Sequence, residues 1–199
     1  LNDNRHMRNF NGIFITHSTA SVIRDTRAAG ERRMTIEERL QRLEDDRAIR
    51  DLKARYLRAC DAKDPDGIAA TMIPDALIAY EGFPEFRDRD AFIAIYRQFG
   101  CAPGIFDIHH GGNGVISFES ADRATGQWSL LFHNIALADR TITQFGVEYQ
   151  DVYVRHSDGW LIAETRSTRK SCLIHRVDGN GHPLVVTMGD APAQFGELA

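Results

Sequence analysis

The 199-residue chain carries 24 Lys and Arg against 28 Asp and Glu, a formal charge of −4 with histidine neutral. That balance offers no basic footprint for nucleic acid or an anionic membrane surface, and no apolar run approaches the roughly 20 residues of a membrane span. Cys60, Cys101 and Cys172 stand singly, without disulfide-framework or zinc-site spacing, which suits reduced thiols in a cytoplasm.

Residues 1–33 mix Asn, Arg, Ser and Thr with one short apolar patch, Ile13-Phe14-Ile15, and read as a flexible arm before the domain at 34–176. Thr35 with Glu38 three residues later is a capping-box start. Ile36, Leu40, Leu43, Ile49, Leu52, Tyr56 and Cys60 then recur at helical spacing, so one stripe is expected to face a core. The helix ends near Asp61, which lies about 140° around it from Tyr56, so the two can border one cavity. On spacing alone, the plainer reading is that Asp61 simply begins the next turn.

Asp64-Pro65 opens a short second helix through Met72. Residues 76–81 read as a strand with Ile78 and Tyr80 on one face. Asp88 caps a third helix, Arg89 to Phe99, closed by Gly100. From Phe106 the pattern becomes strands joined by turns: 106–120, 125–138, 143–156 and 160–175. Gly111, Gly112 and Gly114 predict a bulge in the first. Residues 177–199 read as a tail. Helices followed by such a meander give an α+β class, with three helices on one side of a curved antiparallel sheet.

Two features stand out chemically. His109-His110 lies in a strand, and Asp61 sits on the helix that must pack against that sheet. A histidine accepts a substrate proton near neutral pH if a carboxylate orients it. The plainer reading makes one histidine exposed and the other a hydrogen-bonded core residue. Trp128, Leu130, Phe132 and Asn134 alternate along the next strand, and Tyr149, Asp151 and Tyr153 along the one after. Facing inward, their aromatics would line an apolar pocket or simply fill the core. His133 has the opposite parity. No nucleophile elbow, phosphate loop or metal-ligand spacing is present.

The run Leu52 to Asp61, with Ile108-His109-His110-Gly111-Gly112-Asn113, resembles the SnoaL-like branch of the nuclear-transport-factor-two-like superfamily. Ala124 to Trp128, Tyr149 to Tyr153 and Asp158-Gly159-Trp160 extend the resemblance over roughly residues 35–175. It implies a cone-shaped α+β barrel enclosing a pocket. It also implies an Asp61–His109 dyad of the kind used by the family's cofactor-independent dehydratases and dehydrochlorinases, with Tyr56 catalytic beside it. Tyr80 matches a water-orienting Tyr and Tyr149 a pocket aromatic; Ile78, Trp128, Phe132 and Asn134 complete the expected substrate-binding set.

The expectation is a lyase that eliminates water or halide from a small, largely apolar, cyclic substrate without cofactor or metal. A double-bond isomerase of the ketosteroid type and a non-catalytic binding or assembly subunit are the alternatives. A cytoplasmic homo-oligomer, dimer or trimer, is expected, with neither nucleic acid nor membrane as partner. Its interface would use the outer sheet face bearing Leu131.

Overall fold

The computed structural model describes residues 33–190. The arm expected at residues 1–33 therefore lies almost wholly outside the described residues. From Thr35 onward the described residues form one compact unit.

Three helices, α1 (Ile36–Asp61), α2 (Pro65–Ala69) and α3 (Arg89–Phe99), alternate with and then give way to six strands. These are β1 (Met72–Tyr80), β2 (Ile105–Phe118), β3 (Arg123–Ala136), β4 (Thr141–His156), β5 (Gly159–Val177) and β6 (Pro183–Gly189). The sheet order is β1-β5-β4-β3-β2, with β6 also paired to β5, and it stays open rather than closing into a barrel. The expected meander is present from β2 to β5. The sheet is mixed rather than wholly antiparallel, because β1 pairs with β5 in parallel. A helix intervenes between β1 and the meander, so β1 can enter the sheet without a hairpin. The stretch read as a tail contains β6, antiparallel to the far half of β5; Leu184, Val185 and Val186 there gave a β-prone run that its turn residues masked.

Thr35 caps α1 through the full capping box with Glu38. The stripe along α1 is only half as long as its spacing predicts. Ile36, Leu40 and Leu43 are 76, 55 and 69% exposed, whereas Ile49, Leu52 and Tyr56 are buried. Contact with the sheet begins at Arg42, whose guanidinium lies 4.2 Å from the centroid of the Phe118 ring on β2, and the first buried attachment is Asp45. Its carboxylate accepts from Arg155 Nη2 at 2.5 Å, Trp160 Nε1 at 3.1 Å and Gln41 Nε2 at 3.2 Å. Burial pushes the Asp45 carboxyl up, but these hydrogen bonds outweigh it and hold the group below the usual carboxylate range.

Eight residues on, Lys53 makes a second attachment. Its ammonium lies 2.8 Å from Asp151 Oδ2 on β4, with both side chains almost wholly out of water. The other sides of the ammonium face the rings of Tyr149, 3.7 Å from the centroid, and Tyr56, at 5.1 Å. Ring faces therefore complete the cation's surroundings. Asp151 Oδ2 also accepts from Tyr153 OH at 2.7 Å, and Tyr153 OH accepts from Trp128 Nε1 at 2.9 Å.

Between these attachments and the end of α1 the helix meets β2 closely. A Cβ on Gly111 would lie 2.5 Å from Leu57 Cδ1, so glycine is what lets the two backbones approach. The expected bulge follows, with a register shift between Gly112 and Val115 and Asn113 at φ 52°.

The buried pair makes a falsifiable claim about stability. Lys53→Met leaves Asp151 with only the Tyr153 hydroxyl and should cost about 3–5 kcal/mol. The double variant Lys53→Met with Asp151→Leu should recover most of that loss in urea unfolding. Equal stability of the wild type and Lys53→Met would show that the pair contributes nothing.

Candidate active site

The last turn of α1 carries Asp61 to the inward face of β2. Asp61 Oδ1 accepts from the backbone N–H of His109 at 2.9 Å and lies 2.6 Å from His109 Nδ1. The carboxylate oxygen thus assigns the ring proton to Nδ1, leaving Nε2 as the lone-pair nitrogen. The Phe132 ring, cross-strand from His109, packs against the imidazole with centroids 4.9 Å apart. Phe132 in turn stacks on Phe145 at 6.0 Å. Burial lowers the His109 pKa from its ordinary 6.5 and outweighs the opposing pull of Asp61, so the ring is neutral at pH 7. The Asp61 and His109 side chains are 33 and 14% exposed, which puts the dyad at the edge of the interior rather than in its depth.

Strand alternation settles which histidine faces in. His109 is half-buried and His110 exposed. His133, paired with Ile108 and Gln144, has the outward parity that its spacing predicts.

Deeper in, Tyr56 OH and Tyr80 OH are 2.6 Å apart. One hydroxyl donates to the other, which leaves one O–H hydrogen that this bond does not use, with the Cys60 thiol beside Tyr56 and the Thr165 hydroxyl beside Tyr80. Burial raises both phenols far above their ordinary range, so both remain protonated. Tyr80 meets Phe92 and Tyr149 edge-on, each at 5.8 Å. Ile78, Trp128 and Tyr149 are buried on the same inner surface. Trp128 spends its N–H on Tyr153, so it can offer a ligand only its ring. Beside Tyr56, burial pushes the Cys60 thiol up to about 12, so it is no nucleophile at neutral pH.

Asn134 belongs to a cluster that sequence spacing left unassigned. Its Nδ2 donates to Asp107 Oδ1, while Lys63 Nζ pairs with Asp107 Oδ2. Asp107 sits two residues before His109, and that period-two spacing would have revealed it. Lys53 carried no comparable signal, because an isolated lysine on an apolar stripe reads as solvent-facing. A hollow of about 180 Å³ beside the β2 bulge is lined by Asn113, Val115, Gln127, Ser129, Glu148 and Gln150, with Trp128 and Tyr149 at its base. It contains neither member of the dyad. Among the described residues, no three His, Cys, Asp or Glu side chains are placed to hold a metal, and no helix is long and apolar enough to cross a membrane.

Residues 41–166 match the model of the SnoaL-like domain. The chain belongs to the SnoaL-like domain family. Solved structures agree on the fold. A hexachlorocyclohexane dehydrochlorinase, LinA-type3 from Novosphingobium barchaimii, superposes with a TM-score of 0.63 at 21% identity, covering 77% of this chain and 99% of that one. A candidate scytalone dehydratase from Novosphingobium aromaticivorans gives 0.63 at 19% identity, covering 80 and 98%. ActVI-ORFA from Streptomyces coelicolor gives 0.54 at 20%, covering 62 and 96%. At these identities the likeness establishes the shared cone of helices and curved sheet, and the chemistry must be argued from this chain's own residues.

The site predicts its own titration. The His109 resonances should titrate with a midpoint below 6.5 in a two-dimensional NMR series. A depressed folded-state pKa means that the unfolded chain binds the proton more readily. This group's contribution therefore holds at higher pH and is lost as pH falls through the ordinary histidine value toward the folded one. A midpoint above 6.5 would contradict the burial argument.

Proposed function

We propose that the chain is a cofactor-independent lyase of the dehydratase or dehydrohalogenase type, acting on a small, largely apolar, cyclic molecule. The observation that carries this reading is the bond between Asp61 and His109 Nδ1, which leaves Nε2 unoccupied and basic. His109 Nε2 takes a proton from carbon; the released electron pair forms the new double bond as the neighbouring bond to oxygen or halogen breaks. Asp61 keeps the ring in the productive tautomer and stabilises the imidazolium. The O–H hydrogen that the Tyr56–Tyr80 bond does not use is the donor for a substrate carbonyl or the departing group. Ile78, Trp128, Phe132 and Tyr149 supply the apolar walls, and Asn134 acts through Asp107 rather than on substrate. The dehydrochlorinase and dehydratase among the structural neighbours support the class.

The test is a panel of cyclic ketones, alcohols and halides, screened by thermal shift and then by product mass. Loss of water or halide supports the lyase, an unchanged mass indicates double-bond isomerisation, and no product from any binder favours a binding role. Asp61→Asn and His109→Ala should each lower turnover about 10²–10⁴-fold while the protein remains folded. Wild-type turnover in His109→Ala would overturn the mechanism.

The assembly reading rests on the outer sheet face. Phe106, Ile108 and Leu131 share it and are 57, 47 and 54% exposed, an apolar patch of the kind that usually marks an interface. A homo-oligomer through this face should appear in light scattering coupled to size exclusion, and Leu131→Glu should dissociate it. A single 22.4 kDa species at high micromolar wild-type concentration would refute it.

A further inference from the structure

Two side-chain couples stand side by side where α1 ends against β2. One is Asp61 with His109. The other joins Lys63, two residues after Asp61, to Asp107, two residues before His109. Lys63 adopts φ 55°, a left-handed conformation that is unfavourable for a non-glycine residue. Its backbone N–H bonds Cys60 O at 3.2 Å in this turn, and its ammonium lands on Asp107. The pair is largely removed from water, with side chains 24 and 8% exposed, so solvent screens it weakly. Both oxygens of Asp107 are engaged, one by Lys63 and the other by Asn134 Nδ2.

We propose that Lys63 is a positioning residue that, by holding Asp107 away from His109 and offsetting part of its charge, sets the proton affinity of the base. The inference rests on the reading of His109 as that base. Asp107 and His109 share the inward face of one strand, about 7 Å apart by strand rise. An uncompensated carboxylate there would stabilise the imidazolium, fill the ring with a proton near neutral pH and remove the acceptor at Nε2. A free Asp107 could also turn toward the imidazole and compete with Asp61. With Lys63 and Asn134 occupying both of its oxygens, it is kept from turning, and Lys63 offsets part of its pull on the proton. The charges that reach His109 are Asp61 from α1, Lys63 from the turn after α1 and Asp107 from β2. Its cross-strand neighbour Phe132 and the next in that row, Phe145, contribute none. The directions agree with this account: Asp61 and Asp107 raise the affinity of His109 for a proton, Lys63 lowers it, and burial exceeds all three.

The experiment needs no substrate. His109 resonances, assigned from their loss in a His109→Gln spectrum, are titrated by NMR in the wild type and four variants. Lys63→Met should move the His109 midpoint up, Asp107→Asn should move it down, and the double variant should return close to the wild type. Lys63→Arg keeps the cation and should leave the midpoint in place. Opposite signs from the two single variants are the signature, since loosened packing would hydrate the ring and move it upward in both. Shifts of the same sign, or none beyond fitting error, would overturn the proposal. If Lys63→Met does not fold, Asp107→Asn alone decides by moving down or failing to. Whether His109 is the base at all is read separately, from turnover of His109→Ala.

Discussion

The ion pair between Lys53 and Asp151 fixes where α1 lies on the sheet, and the site depends on it. A buried ammonium tolerates little displacement from its carboxylate, because any gap leaves two charges poorly solvated. Asp45, Lys53 and Asp61 attach α1 at intervals of eight residues, about 12 Å along the axis. Each advances about 80° around the helix. The partners advance too, from Arg155 and Trp160 to Asp151 and then to His109 on the other side of the sheet. The helix thus crosses the curved sheet obliquely, with a polar contact at each stage. Close packing of Leu57 on Gly111 brings the last contact within reach.

This arrangement separates two uses of charge. The upper two attachments use carboxylates in structural roles: Asp45 is held by Arg155, Trp160 and Gln41, and Asp151 by Lys53 and Tyr153 through one oxygen. At the third, a single Asp61 oxygen serves both the backbone N–H and the ring of His109, and a third of the carboxyl side chain remains open. The same residue type meets an arginine and an indole at position 45 and a titratable imidazole at the edge of the interior at position 61.

Much of this was legible from residue order. The capping box at Thr35, the end of α1 at Asp61, the β2 bulge and the shared face of Trp128, Leu130 and Phe132 follow from local rules, and the structure contains them, whereas alternation alone left open whether His109 or His110 faces in. What periodicity cannot convey is how far an element extends past its partner. Ile36, Leu40 and Leu43 have the spacing of a core stripe yet stay exposed. Parallel pairing of β1 was hidden because its partner lies in the last long strand, beyond any local signal. Lys53 was hidden because its burial depends on an acid some hundred residues away and on two aromatic faces.

The parallel pairing of β1 with β5 has a consequence for how the protein comes to be folded. Ile78 and Thr165 are register partners separated by nearly 90 residues of chain. The hairpins from β2 to β5 can form by local closure, but β1 must wait until β5 exists and then close a long loop. Tyr80 rides on β1, so its hydroxyl reaches Tyr56 only once that closure is complete. Asp61 and His109 lie on elements that can meet earlier. The Asp61–His109 pair can therefore assemble before the Tyr56–Tyr80 pair, and a nascent chain emerging from synthesis would acquire both only after its last long strand is in place.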